Sequence, residues 1–201
     1  IYLTSSSGYH QDRLHLYCFD VETGKLIWER QFWATGRPTS HPKTCNAAPT
    51  PASDGQRIFA NFSSNDLICL DLDGNLQWYR GLTVDFPNAS NSLGMSSSPI
   101  VVGNTLVVQI ENDSQSLAVG VDTATGESKW TSDRPKRANW TSPAVLRGAT
   151  RADDLALLQS SAGLAAVHPE TGKVAWSFDN GASTIPSSTV RGNTVLGPGP
   201  A

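Results

Sequence analysis

Apolar residues fall in short runs, such as Ile58-Phe-Ala60, Leu106-Val-Val108 and Leu155-Ala-Leu-Leu158, each closed within a few residues by Gly, Asp, Asn or Pro. Other stretches alternate apolar with polar residues. Runs this short with turn residues between them predict β-strands joined by tight turns. No stretch carries the 3.6-residue stripe of an amphipathic helix, which sets helical solenoids aside.

The strand–turn–strand units repeat. Trp28, Trp78, Trp130 and Trp176 stand 50, 52 and 46 residues apart, and each follows a glycine by four positions. The four copies read Cys18-Phe-Asp20-Val-Glu-Thr-Gly24-Lys-Leu-Ile-Trp28, Cys69-Leu-Asp71-Leu-Asp-Gly74-Asn-Leu-Gln-Trp78, Gly120-Val-Asp122-Thr-Ala-Thr-Gly126-Glu-Ser-Lys-Trp130 and Ala166-Val-His168-Pro-Glu-Thr-Gly172-Lys-Val-Ala-Trp176. Between them recurs a second unit. Pro51-Ala-Ser-Asp-Gly55-Gln-Arg-Ile58 matches Pro99-Ile-Val-Val-Gly103-Asn-Thr-Leu106 and Ser188-Thr-Val-Arg-Gly192-Asn-Thr-Val195, while the Pro143 copy carries an insertion from Arg147 to Asp154. One period therefore holds four short antiparallel strands, A to D, with the Trp on strand D. Four-stranded units at this spacing predict propeller blades rather than an immunoglobulin-like sandwich, which has no reason to repeat Gly-x-x-x-Trp.

The small residue, Asp, Thr-Gly-Lys and Trp of the first copy, in register with three more, resemble the tryptophan-docking motif of the pyrroloquinoline-quinone (PQQ)-like β-propeller repeat family. Such repeats occur in quinoprotein alcohol dehydrogenases, in the propeller lipoprotein of the outer-membrane barrel-assembly machinery, and in bacterial secreted proteins. The resemblance covers essentially the whole chain. It implies that Trp28, Trp78, Trp130 and Trp176 pack between blades against the Gly24, Gly74, Gly126 and Gly172 turns. It further implies a periplasmic or otherwise extracytoplasmic protein and a ring of seven or eight blades. Counting strands on this pattern places strands B–D of one blade at 1–32, blades at 47–82, 96–132 and 140–179, and strands A–B of another at 186–201. On that count the chain is an arc of a ring, with the remaining blades in the same polypeptide; a closed four-bladed ring is the alternative.

Composition changes this picture little. There are 17 Gly and 12 Pro among 201 residues, which serve as turn punctuation, and charged residues make up 16%. A net charge of −3 offers no general pull toward nucleic acid. No apolar run is long enough to span a membrane as a helix.

Candidate chemistry is sparse. Cys18 and Cys69 occupy the small-residue slot of successive motifs and Cys45 stands in a loop, so no disulfide framework is predicted. His10, His15, His41 and His168 lack zinc-site spacing, with His168 replacing a motif Asp. There is no Gly-x-Ser-x-Gly elbow, although a triad assembled from distant loops is recognised by geometry and stays open. The quinoprotein resemblance brings PQQ and Ca²⁺ as alternative cofactors. The vicinal Cys pair of those enzymes is missing; Glu111-Asn112-Asp113 offers three oxygen-rich side chains in a row, but no cofactor and no metal is the expectation. Adjacent strand residues would deliver two of those three at most to one site.

The D-to-A and B-to-C loops emerge together on one face, and the D-to-A spans vary in length. They carry Trp33, Arg37, His41, Lys43, Asp85, Phe86, Asn88, Asn91, Arg134 and Trp140; the B-to-C loops add Ser5, Ser6, Ser63, Ser64, Asn65, Glu111, Asn112, Asp113, Gln159, Ser160 and Ser161. Binding residues concentrate on such loops, and aromatic and Arg residues dominate hot spots. Trp33, Arg37, His41, Arg134 and Trp140 are therefore the candidate partner-binding residues, with no catalytic residue assigned. The expected function is a non-catalytic protein-interaction or scaffold module of the bacterial envelope, in one variant by pairing a partner strand with a blade edge. The alternatives are a segment of a PQQ-dependent dehydrogenase and a carbohydrate- or peptide-binding propeller.

Overall fold

The computed structural model describes residues 1–36, 41–89 and 94–199. Three strands open the chain as one antiparallel sheet: β1 (Tyr2–Ser7), β2 (Arg13–Phe19) and β3 (Leu26–Trp33). Three four-stranded sheets follow. They are β4 (Ala52–Ser53), β5 (Arg57–Asn61), β6 (Asp66–Asp71) and β7 (Leu76–Gly81); then β8 (Ile100–Val102), β9 (Thr105–Ile110), β10 (Leu117–Asp122) and β11 (Ser128–Asp133); then β12 (Ala144–Leu146), β13 (Leu155–Ser160), β14 (Gly163–Val167) and β15 (Val174–Phe178). A hairpin of β16 (Thr189–Arg191) and β17 (Thr194–Leu196) ends the described chain. The chain is thus nearly all β, built of four-stranded antiparallel blades. Among the described residues the first sheet and the last hairpin are separate sheets. No helix among the described residues is long and apolar enough to cross a membrane.

Middle strands are buried on both faces, which is why they read as continuous apolar runs instead of alternating ones. Successive residues serve opposite neighbours. Ile58 and Ala60 pack back onto Leu14, Leu16 and Trp28 of the first sheet, while Phe59 between them packs forward with Leu106, Val108 and Val119 of the third. Val107 in turn joins Trp130, Ala156, Leu158 and Val167. The core lies in layers between blades.

Every pairing of strands C and D carries a bulge at the same place. Cys18, Cys69, Gly120 and Ala166 each stand opposite the motif Trp, and the register slips immediately after. The indole crosses that position, and a Cβ on Gly120 would overlap Trp130 Nε1. Steric room explains the small-residue slot. It also explains Cys18 and Cys69: both are buried free thiols, and burial pushes the Cys69 thiol up to about 12.

The innermost strands are stitched by a hydroxyl ladder. The Thr50 amide donates to Ser98 Oγ, the Ser98 amide to Ser142 Oγ and the Ser142 amide to Ser187 Oγ, each at 2.9 Å.

Candidate functional site

Three of the four motif tryptophans are seated on the next blade's turn. Trp28 Nε1 donates to Leu72 O at 3.0 Å, Trp78 Nε1 to Thr123 O at 3.1 Å and Trp130 Nε1 to Pro169 O at 2.6 Å. The same indoles lie so close to Gly74, Gly126 and Gly172 that an added Cβ would sit 2.9, 2.8 and 2.6 Å from ring carbons. Trp28 and Trp130 are buried, whereas Trp176 is 38% exposed on the last full blade. Gly24, in the first turn, has nothing within 4 Å of its would-be Cβ. Arg30 and Arg80 extend two of these joints, with Arg30 Nε donating to Gly74 O at 2.7 Å and Arg80 donating to Gly126 O at 3.0 Å.

The turns themselves are held by the motif Asp. Asp20 Oδ1 accepts from the Thr23 amide and hydroxyl, and Asp122 Oδ1 from the Ala124 and Thr125 amides. Hydrogen bonds from the turn, Thr23's hydroxyl first, hold the exposed Asp20 carboxyl below the usual range. His168 keeps the backbone closure, accepting from the Gly172 amide at 2.8 Å, without the carboxylate.

Of the loop candidates, His41 and Trp140 come together. They line a cavity of about 400 Å³ with Thr44, Ala48, Ser63, Gly94, Met95, Ser96 and Ile185. Trp140 is fixed from both sides: Nε1 donates to Gly94 O at 3.2 Å and the backbone amide to Thr184 O at 2.9 Å. His41 Nδ1 accepts from the Lys43 amide at 3.1 Å, which orients its ring. Ser63 Oγ donates to Met95 O, and Ser96 Oγ to Trp140 O at 3.4 Å. These hydroxyls point into backbone, leaving walls of Ala48, Met95, Trp140 and Ile185. Ile185 is 71% exposed at the rim.

The other candidates lie elsewhere. Trp33 is the last residue of β3 rather than a loop residue, 62% exposed, with the Arg13 guanidinium 5.7 Å from its ring centroid. Arg37 and Asn91 fall outside the described residues. Arg134 is not a surface cation: its Nε donates to Glu111 Oε1 at 2.6 Å and its guanidinium reaches Leu158 O at 3.2 Å. The B-to-C loops correct a further expectation. Ser63, Ser64, Asn65, Glu111, Asn112, Gln159 and Ser160 are buried, because neighbouring D-to-A segments fold over them and take up their polar groups. Asn46, for example, accepts from the Ser63 and Ser64 amides at 2.7 Å each.

The Glu111-Asn112-Asp113 segment does not fit calcium. Glu111 is 1% exposed and its second oxygen accepts from Asn139 Nδ2 at 2.9 Å. Asn112 Oδ1 accepts from the Ser114 amide and hydroxyl at 2.7 Å and the Gln115 amide at 3.0 Å, and Asp113 from the Ala138 amide at 3.2 Å. These oxygens already have donors, and Arg134 neutralises the one buried charge. Burial still pushes the Glu111 carboxyl above its ordinary range, with Arg134 opposing.

Gly94, Met95 and Ile185 were not singled out by sequence reasoning. Met95 is the chain's single Met and Ile185 an isolated apolar residue in a polar loop, and only those two oddities could have drawn attention to them.

A family profile described as outer membrane protein assembly factor BamB matches residues 12–195. Among solved structures, BamB from Moraxella catarrhalis superposes with a TM-score of 0.61 at 14% identity, over 97% of this chain and 51% of that one. A europium-containing methanol dehydrogenase gives 0.62 at 13% identity, over 90% and 40%. Quinohemoprotein alcohol dehydrogenase from Comamonas testosteroni gives 0.61 at 15%, over 98% and 37%. The chain spans about half the length of the first and less of the other two. No curated protein sequence matches it.

Proposed function

The chain belongs to the outer membrane protein assembly factor BamB family of PQQ-like propellers, and from that premise we propose that it is a protein-interaction module of the bacterial cell envelope, on the periplasmic side. Its loop face is a non-catalytic docking surface, and the cavity around Trp140 receives apolar side chains of a protein partner.

The observation that carries this reading is the cavity's lining. A Trp locked by two backbone bonds, flanked by Ala48, Met95 and an exposed Ile185, presents rigid apolar area at low entropic cost. About 400 Å³ accommodates one or two apolar side chains. The hydroxyls of Ser63 and Ser96 are turned toward backbone carbonyls, which favours an apolar anchor over a sugar.

Two measurements separate this from the quinoprotein alternative. Absorbance and dye reduction are followed as PQQ and Ca²⁺ are added to the purified full-length protein; no cofactor-dependent reduction is expected. In parallel, Trp140→Ala is expected to weaken association with envelope proteins while the fold is kept. PQQ-dependent activity, or undiminished association of the Trp140 variant, overturns the proposal.

A further inference from the structure

Two departures from the repeat fall on the sheet β12–β15 and meet at one place. It carries His168 where the first three turns carry Asp20, Asp71 and Asp122. It also carries the Arg147 to Asp154 insertion, which the matching Gly55, Gly103 and Gly192 turns lack. Arg151 of the insertion and His168 line a cavity of about 420 Å³ together with Gly103, Asn104, Glu170 and Thr171. The cavity spans the joint between β8–β11 and β12–β15, two complete sheets locked together by Trp130 on the Gly172 turn. It opens at the Gly-turn end of the blades, away from the loops around Trp140.

The first three turns show what the motif carboxylate does. Asp20 Oδ1 accepts from the Thr23 amide and hydroxyl, and Asp71 Oδ1 from the Asp73 and Asn75 amides. Asp122 Oδ1 accepts from the Ala124 and Thr125 amides at 2.9 and 3.0 Å, while Lys129 Nζ stands 3.8 Å from its Oδ2. The corresponding donors of the fourth turn belong to Glu170 and Thr171, and the His168 imidazole takes none of them. The Thr171 amide turns to His168 O at 3.2 Å. Among the described residues no protein group accepts from the Glu170 amide or the Thr171 hydroxyl, whose oxygen only receives the Lys173 amide.

The charges around these donors leave one cation over. Within the insertion Arg147 pairs with Asp154 at 2.5 Å, and Asp153 accepts from the Thr150 amide and hydroxyl at 3.0 and 2.7 Å. On the facing wall the Glu170 carboxylate is occupied, accepting from Thr105 Oγ1 at 3.0 Å and pairing with Lys129. Arg151 has no ion pair among the described residues. A free guanidinium, an imidazole and turn donors lacking their carboxylate therefore share one cavity.

We infer that this cavity binds a small-molecule carboxylate. One carboxylate oxygen takes the place of the missing Asp oxygen, on the Glu170 amide and Thr171 hydroxyl. Arg151 pairs with the other, as Lys129 stands by Asp122. The planar guanidinium fork matches a carboxylate, and a single negative charge balances the single unpaired cation. The volume leaves room for a short chain beyond the carboxylate. Binding closes the turn that holds the Trp130 indole, through Nε1 to Pro169 O at 2.6 Å, so the ligand tightens this blade joint. The site is independent of the Trp140 cavity and stands whether or not a partner docks there.

The test titrates the isotope-labelled full chain with acetate and with succinate at constant ionic strength, following backbone amide resonances and the melting midpoint. The Glu170 and Thr171 amides are expected to move saturably, and the midpoint to rise with the same concentration dependence. Inorganic phosphate at equal concentration is expected to move them less. Arg151→Gln should raise the dissociation constant about 10–100-fold, the loss of a charge-assisted pair. His168→Asp supplies the carboxylate from the chain itself, as the three other turns do, so it folds but no longer responds to acetate or succinate. Unmoved Glu170 and Thr171 amides in the parent overturn the inference. So does a His168→Asp response equal to the parent's, an affinity unchanged in Arg151→Gln, or stronger binding of phosphate than of either carboxylate.

Discussion

Replacing a turn glycine by alanine separates backbone strain from blade docking, because the same substitution meets an indole at one turn and open space at another. Gly55 and Gly126 have φ of +87° and +77°, so alanine at either costs about 1–2 kcal/mol for left-handed backbone. At Gly55 nothing lies within 4 Å of the new Cβ, and that is the whole expected cost. At Gly126 the Cβ would be 2.8 Å from Trp78 Cδ2 and 3.0 Å from Cε3. The indole cannot lift freely, since its Nε1 donates to Thr123 O in the same turn at 3.1 Å. Overpacking of this kind adds about 1–3 kcal/mol, and weakening that hydrogen bond about 1 kcal/mol. Each kcal/mol is worth roughly 2–4 °C of Tm for a chain of this size. Denaturant melts of both variants, repeated in a Trp78→Ala background, give the comparison. Trp78→Ala alone is expected to cost about 3–5 kcal/mol, and within it Gly126→Ala should fall to the Gly55→Ala cost. Equal losses at the two turns, or a Gly126→Ala cost indifferent to Trp78, would refute stacking as the joint between blades.

Other outcomes follow from the same structure. Arg134→Met leaves Glu111 buried without its cation and is expected to cost about 3–5 kcal/mol at neutral pH. Burial already raises the Glu111 carboxyl, so its proton is bound more tightly folded than unfolded; the loss should shrink as pH falls and grow as pH rises, visible in melts from pH 4 to 7. His168→Asp restores the carboxylate that the other three turns possess, and is expected to raise the melting midpoint at pH 7. That gain depends on a carboxyl held below its usual range, so it should vanish as pH falls through that depressed value. Among the thiols, Cys45 is exposed and should react with a thiol reagent in the native state, while Cys18 and Cys69 react only on unfolding.

The propeller was legible because its joint recurs in one linear motif: a small residue, an Asp (His168 in the fourth copy) and a turn glycine four positions before a Trp have one steric explanation, and the structure supplies it at each bulge. The hydroxyl ladder through Ser98, Ser142 and Ser187 escaped notice because single serines in Ser-rich segments carry no local signal. Composition misled at the B-to-C loops. Glu111, Asn112 and Gln159 look like surface residues, yet neighbouring loops bury them by supplying matched donors and acceptors, such as Arg134 from 23 positions away for Glu111. The Trp140 cavity was half visible: its Trp and His41 stood out as aromatic and basic loop residues, but Met95 and Ile185 arrive from two other blades.

The proposed docking surface is tested most directly in cells that make the full-length protein. A photo-activated benzophenone amino acid is placed at position 185, on the rim of the Trp140 cavity, in the full-length protein. The expected result is a discrete covalent adduct with an envelope protein on illumination, lost when Trp140→Ala is added although the propeller remains folded. Absence of any adduct, or an adduct of unchanged yield in the Trp140 variant, would contradict a partner bound at that cavity.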